Sequence, residues 1–210
     1  MVLPTDWASE NLQVIRTLME RASVYRRALA PVMLTAGAIG LIASAVPCFV
    51  SIDSGASFAG YWMVVAAVGF GLSVFLVRRQ AVGDGEVFWS PPTRRVAQAL
   101  SPAFTAGLVA GLSYLACPWL DERSTWLLPM LWMILYGCAL HAAGFFMPRG
   151  IRLLGWLFLG FGSAGLMLVG ALPRLQTSEV GHYVMGTFFG VGQFAYGAYL
   201  WFTEKRKNAQ

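Results

Sequence analysis

Six stretches of the chain carry no Asp, Glu, Lys or Arg: residues 28–52, 54–77, 96–120, 124–148, 153–173 and 180–203. A helix rising about 1.5 Å per residue needs about 20 apolar residues to cross a hydrocarbon core about 30 Å thick, and every stretch meets that length. Their Leu, Ala, Gly and Phe residues show no two-residue alternation, so helices fit them and the short strands of a membrane β-barrel do not. The pattern predicts an all-α membrane protein with six transmembrane helices.

Ahead of the first span, Leu12, Ile15, Leu18, Met19, Ala22 and Tyr25 recur at helical spacing, with Glu10, Arg16, Glu20 and Arg27 largely on other faces. Residues 1–27 therefore read as a cytoplasmic amphipathic helix. The same stripe suits a helix lying in the membrane interface and one docked on the inner face of the protein. Pro31 has no N–H and crowds the carbonyl four residues earlier, which puts the elbow into the first span near Arg27. Met1 to Leu12 carries Asp6 and Glu10 and has neither a basic start nor an apolar run, unlike a signal peptide.

The spans resemble one another. Ala28, Leu29, Pro31, Gly40, Leu41, Ala45 and Pro47 of the first reappear, without a gap, as Ala99, Leu100, Pro102, Gly111, Leu112, Ala116 and Pro118 of the third. Gly165, Leu166 and Pro173 echo them in the fifth, and Gly137, Ala142 and Gly144 of the fourth align with Gly190, Ala195 and Gly197 of the sixth. The unit is a two-helix hairpin, giving repeats over 28–77, 99–147 and 153–202, with a cytoplasmic loop at 78–98 and a cytoplasmic tail at 203–210. A hairpin returns the chain to its starting side, so three copies are parallel repeats about a pseudo-threefold axis along the membrane normal. Small residues let membrane helices approach closely, which nominates Ala36, Gly40, Gly107, Gly111, Gly186 and Gly190 as packing positions, within the bundle or between copies.

The loop from Arg78 to Val96 contains Gly83-Asp84-Gly85, a turn, and then Ser90-Pro91, an N-cap followed by a proline at the first helical position. Thr93 to Gln98 then extends the third span into the cytoplasm. Phe88, Trp89, Arg94 and Arg95 form the contact surface of this loop, with the two aromatic rings dipping toward the interface.

Composition agrees with lipid surroundings: 57% of residues are hydrophobic and 12% charged, against about 25% charged in soluble domains. Charge adds the orientation. Arg78, Arg79, Arg94, Arg95, Arg149, Arg152, Lys205, Arg206, Lys207 and the N-terminal arginines fall on one side, and Arg123 and Arg174 on the other. Basic loops stay in the cytoplasm, so both termini are cytoplasmic in a cell inner membrane and Asp53, Asp121 and Glu179 are external. The net charge of +5 is this same asymmetry. It meets anionic membrane lipid at helix ends, at about 1 kcal/mol per basic residue, and gives no footprint for nucleic acid. Trp62, Trp119, Trp126 and Tyr183 outside, and Trp156 and Trp201 inside, suit the headgroup level.

Candidate chemistry is sparse. His141 lies within the fourth span, roughly 12 Å from its inner end, and His182 opens the sixth at the outer end; about 20 Å of depth between them rules out a shared haem. His141, Gln193 and Tyr136 make up the possible intramembrane polar site, each equally readable as a hydrogen-bonded packing residue. Cys48, Cys117 and Cys138 lack metal-ligand spacing; Cys48 and Cys117 sit near the outer ends of their spans, where pairing is permitted. No phosphate loop, nucleophile elbow or carboxylate pair is present in the sequence, so no catalytic, cofactor or metal residues are nominated.

Ile15-Arg16, Met19-Glu20-Arg21 and Tyr25, then Phe88-Trp89-Ser90 with Arg94-Arg95, Tyr136-Gly137, Leu153-Leu154-Gly155-Trp156 and Ala195-Tyr196-Gly197 form a set. The set resembles uncharacterised bacterial six-span membrane proteins often encoded beside winged-helix transcriptional regulators. The resemblance implies the six-span fold and no activity. The function expected is a non-enzymatic accessory, scaffold or regulatory membrane subunit, working as a homo-oligomer or with a protein partner. The alternatives are a small-solute or lipid transporter, suggested by Pro31, Pro102 and Pro129, and a redox or enzyme subunit using His141.

Overall fold

The computed structural model describes residues 28–117 and 124–208, with side chains as far as Thr203, and it is helical throughout with no strand among the described residues. The amphipathic helix expected over 1–27, and Trp119 and Asp121 in the loop after the third helix, lie outside the described residues.

In chain order, α1 occupies the span Ala28–Cys48, helical over 28–45 and closing in a 3-10 turn at Val46–Cys48. Next come α2 at Gly55–Gly83, α3 at Pro91–Ala116, α4 at Leu127–Ala143 and α5 at Arg149–Ala171. The chain ends in α6 at Ser178–Met185, a π-helical segment at Gly186–Gly192 and α7 at Gln193–Asn208, which run on without a break. Four of these, α1, α2, α3 and α5, are long and apolar enough to cross a membrane; α4 is apolar but has 17 residues.

Local sequence sets the ends. Ser54 accepts the Ser57 amide at 3.1 Å to cap α2, and Thr177 accepts the Val180 amide at 3.3 Å to cap α6. α2 stops at Gly83-Asp84-Gly85, where Gly85 takes φ 67°, a left-handed conformation that a side chain would strain. Ser90 and Pro91 start α3 as the sequence indicates, although the Ser90 hydroxyl pairs with that of Thr93 at 3.0 Å and not with an amide. Pro102 lies inside α3 without ending it. Its missing N–H would leave the Gln98 carbonyl short of a donor, and the Ser101 hydroxyl donates to that carbonyl at 3.1 Å.

Three apolar clusters fill the interior, the smallest of them Trp126 and Met130 at the start of α4 with Val169 of α5. Of the other two, one joins Leu29 and Met33 of α1, Met133 and Leu140 of α4, Leu154 and Phe158 of α5, and Leu200 of α7. The other gathers Phe58 and Trp62 of α2, Tyr114 of α3, Leu128 of α4 and Met185 of α6. α2 stands apart: only 6% of its most apolar window is buried against the rest of the chain. Val64, Val68, Phe70, Leu72 and Phe75 are exposed along it, the surface expected of a helix whose solvent is lipid.

Candidate functional site

Several close approaches between helices bring backbone against backbone at glycines. A methyl group at Gly40 would stand 2.5 Å from the Phe189 carbonyl oxygen, and one at Gly190 would stand 3.0 Å from the Leu41 nitrogen. Gly37 meets the backbone of Phe194; Gly197 and Gly186 face Leu34 and Ser44. These contacts run α1 antiparallel to the helix from α6 through α7. The π-helical segment, with its widened turn, carries Gly186 and Gly190 against α1.

A second pairing of the same kind joins α4 and α5. A methyl at Gly137 would stand 2.6 Å from the Leu159 nitrogen, and one at Gly155 would stand 2.7 Å from the His141 nitrogen. Gly144 lies under the Arg152 side chain, and Gly162 faces Met133. A side chain at Gly137 or Gly155 would meet backbone, force the helices apart and forfeit the dispersion energy that close helix packing supplies.

The packing positions nominated from sequence therefore divide. Gly40, Gly186 and Gly190 sit in the first backbone contact. Ala36 is half-buried beside Gly37, which makes the closer approach. Gly107 and Gly111 meet side chains instead: the Trp132 indole lies over both, its Nε1–H donating to the Gly107 carbonyl at 2.8 Å, and Met63 presses on Gly111.

The three polar candidates do not converge. Tyr136 points into the core, stacked on Phe104 at 6.1 Å and against Phe158 and Phe189 at 5.0 and 5.1 Å. Gln193, 5% exposed, begins α7 directly after the π-helical segment, on the face that continues through Tyr196 to Leu200; on that face the Tyr196 hydroxyl is buried without a partner among the described residues. His141 follows Tyr136 by five residues, which turns it about 140° around α4 and toward α5; α4 ends at Ala143, so His141 lies in its last turn beside the α4–α5 connection and not about 12 Å inside the span as the sequence suggested. There its ring meets Phe145 at 5.4 Å and Trp156 at 5.1 Å, both edge-on, and its Nδ1 is buried without a partner.

The best-formed polar arrangement involves His182. Trp62 Nε1–H donates to His182 Nδ1 at 3.0 Å, and His182 Nε2 lies 3.1 Å from the Ile52 carbonyl oxygen. Indole nitrogen is a donor only, so Nδ1 must accept and the proton sits on Nε2, donating to Ile52. Phe58 covers the ring at 4.7 Å. This clasp ties α6 to α2 and to the turn after α1. Tyr61 adds a bond to the Ala43 carbonyl at 2.6 Å, and Tyr114 one to the Ser124 carbonyl at 2.7 Å. Trp62 and Trp126, 2% and 7% exposed, are core residues and not interface anchors, whereas Tyr183 and Trp156 are exposed as anchors should be. The sequence signal for the clasp is the expectation that Trp62 and His182 share one level near the same end of their helices.

In the loop between α2 and α3, Phe88 is half-buried and Trp89 lies against it at 6.2 Å and is 56% exposed; Arg94 and Arg95, in the first turns of α3, are exposed. Phe88 lines a shallow recess with Ala28, Val77, Ala81 and Thr93. The thiols of Cys48, Cys117 and Cys138 are free.

No protein-family model, curated protein or solved structure matches the chain.

Proposed function

We propose that the chain is a six-span membrane module that works by association, as an accessory, scaffold or regulatory subunit of the inner membrane with both termini cytoplasmic. The helix from Ser178 to Asn208 supports a further crossing, since its π-helical segment widens a turn without ending the helix. α4, though short, is extended by the apolar Phe145 and Phe146 at one end and Trp126 at the other. The resemblance to six-span bacterial proteins agrees with this reading.

Contact geometry supports the repeat. Gly37 to Phe194, Leu41 to Gly190, Leu34 to Gly197 and Ser44 to Gly186 correspond one for one to Gly155 to His141, Leu159 to Gly137, Arg152 to Gly144 and Gly162 to Met133. The offset between α4 and the last helix is the one relating Gly137 to Gly190 in sequence. The offset between α1 and α5 differs by about two helical turns from the Gly165-Leu166 echo. Tyr61, Ala67, Gly69 and Phe70 of α2 repeat as Tyr136, Ala142, Gly144 and Phe145 of α4, with Trp62 where α4 has Gly137. A tryptophan at that register keeps α2 from closing on α3, and these two helices meet through Met63, Phe70 and Phe104.

The observation that carries the association reading is α2 itself. A methyl group at Gly69 or Gly71 would meet nothing within 4 Å, on a helix whose most apolar window is only 6% buried against the rest of the chain. Small residues that close helix pairs elsewhere in the chain are here left available to another helix. Purification in mild detergent tests it: wild type is expected with a stoichiometric partner or second copy, and Gly69→Leu with Gly71→Leu to be folded but alone. A monomeric wild type that moves solute across liposomes would instead favour transport, for which the specific support is a polar side chain, Gln193, buried directly after the π-helical segment.

A further inference from the structure

We propose that the α4–α5 turn binds the phosphate of an anionic phospholipid, through Arg152, Arg149 and His141. The Arg152 stem lies on Gly144, a position with no side chain to displace it, and its guanidinium carbon stands 5.3 Å from the centroid of the Phe145 ring. Arg149 is one helical turn away and exposed. Neither arginine pairs with a described residue, and the sequence from 124 to 178 contains no Asp or Glu to neutralise them. A guanidinium held over an aromatic face, with its fork of donors unfilled, matches the geometry of a phosphate.

His141 adds a donor. Its Nδ1 is buried with no partner, while Nε2 is not buried in this way. An unmet N–H inside a protein is rarer than an unmet acceptor, which places the proton of the neutral ring on Nε2, the accessible nitrogen. The contact of the His141 backbone with Gly155 fixes the ring between Phe145 and Trp156.

The surroundings select a lipid over free phosphate. Phe145 is 65% exposed and Trp156 57%, and Leu153 and Leu157 continue an exposed apolar surface along α5. Cations and aromatic rings at one level with aliphatic side chains beyond them reproduce the order of headgroup, interface and acyl chain. The inference rests on the membrane reading, and the two fail differently. A chain that stays in solution without detergent overturns both, whereas a detergent-extracted chain indifferent to headgroup charge overturns only this site.

Native mass spectrometry of the full-length protein in detergent, with phosphatidylglycerol or phosphatidylcholine added, tests the site. Wild type is expected to retain phosphatidylglycerol selectively. Arg149→Gln with Arg152→Gln should weaken retention about tenfold or more, as expected for lost charge-assisted bonds, and Arg78→Gln with Arg79→Gln should leave it unchanged. Arg149→Gln alone, at an exposed position, should give a smaller loss and carries the test if the double variant does not fold. Equal retention of the two lipids, equal loss in the Arg78/Arg79 control, undiminished retention in the Arg149 variants, or displacement by inorganic phosphate would each overturn the proposal.

Discussion

Trp62 and His182 share a buried hydrogen bond of 3.0 Å that fixes the imidazole tautomer and joins α2 to α6. Either partner alone leaves the other with an unmet polar atom in an apolar cluster. Trp62→Phe and His182→Ala should each lower thermal stability in detergent, and the double variant should lose less than the sum. Hydrogen bonds between membrane helices give coupling of about 0.6 kcal/mol, up to about 1.7. Strict additivity would show that the bond contributes nothing.

Glycine substitutions should split by location. A methyl at Gly137 or Gly190 meets backbone on a neighbouring helix, and Gly137→Ala or Gly190→Ala should cost about 1–3 kcal/mol. Gly160 has nothing within 4 Å, and Gly160→Ala should be neutral or stabilising by up to about 1 kcal/mol through helix propensity. Melting temperatures of the three variants give the comparison; a Gly160 variant as unstable as the others would contradict it.

The Tyr196 hydroxyl is buried without a partner among the described residues. Tyr196→Phe should therefore leave the fold as stable or raise its melting temperature, since an unmet hydroxyl is removed while the ring is kept. A drop in melting temperature would mean that the hydroxyl is satisfied in the native protein.

Much of the helical layout was legible because charge-free runs and capping residues act locally: Ser90 with Pro91, and the turn Gly83-Asp84-Gly85, mark helix ends in the sequence as in the fold. The interior was less legible. Helical spacing could nominate Gly40, Gly186 and Gly190, but whether Gly107 faces backbone or an indole depends on Trp132, a neighbour brought in by tertiary packing. Trp62 and His182 are 120 residues apart, so no sequence window holds both. The π-helical turn at Gly186–Gly192 lies where the chain packs closely on α1, and helical spacing in the sequence carries no sign of it.

Side-specific labelling of single cysteines tests the six-span hairpin arrangement most directly. In a variant with Cys48, Cys117 and Cys138 replaced by Ala, Asp53→Cys, Asp84→Cys, Met147→Cys, Gln176→Cys and Asn208→Cys are each exposed to a membrane-impermeant maleimide in intact cells and in inverted vesicles. The account predicts labelling at 53 and 176 from outside, and at 84, 147 and 208 only after inversion. Labelling of 147 from outside, or of 176 and 208 from one side, would remove α4 or the α6–α7 helix from the spans and contradict it.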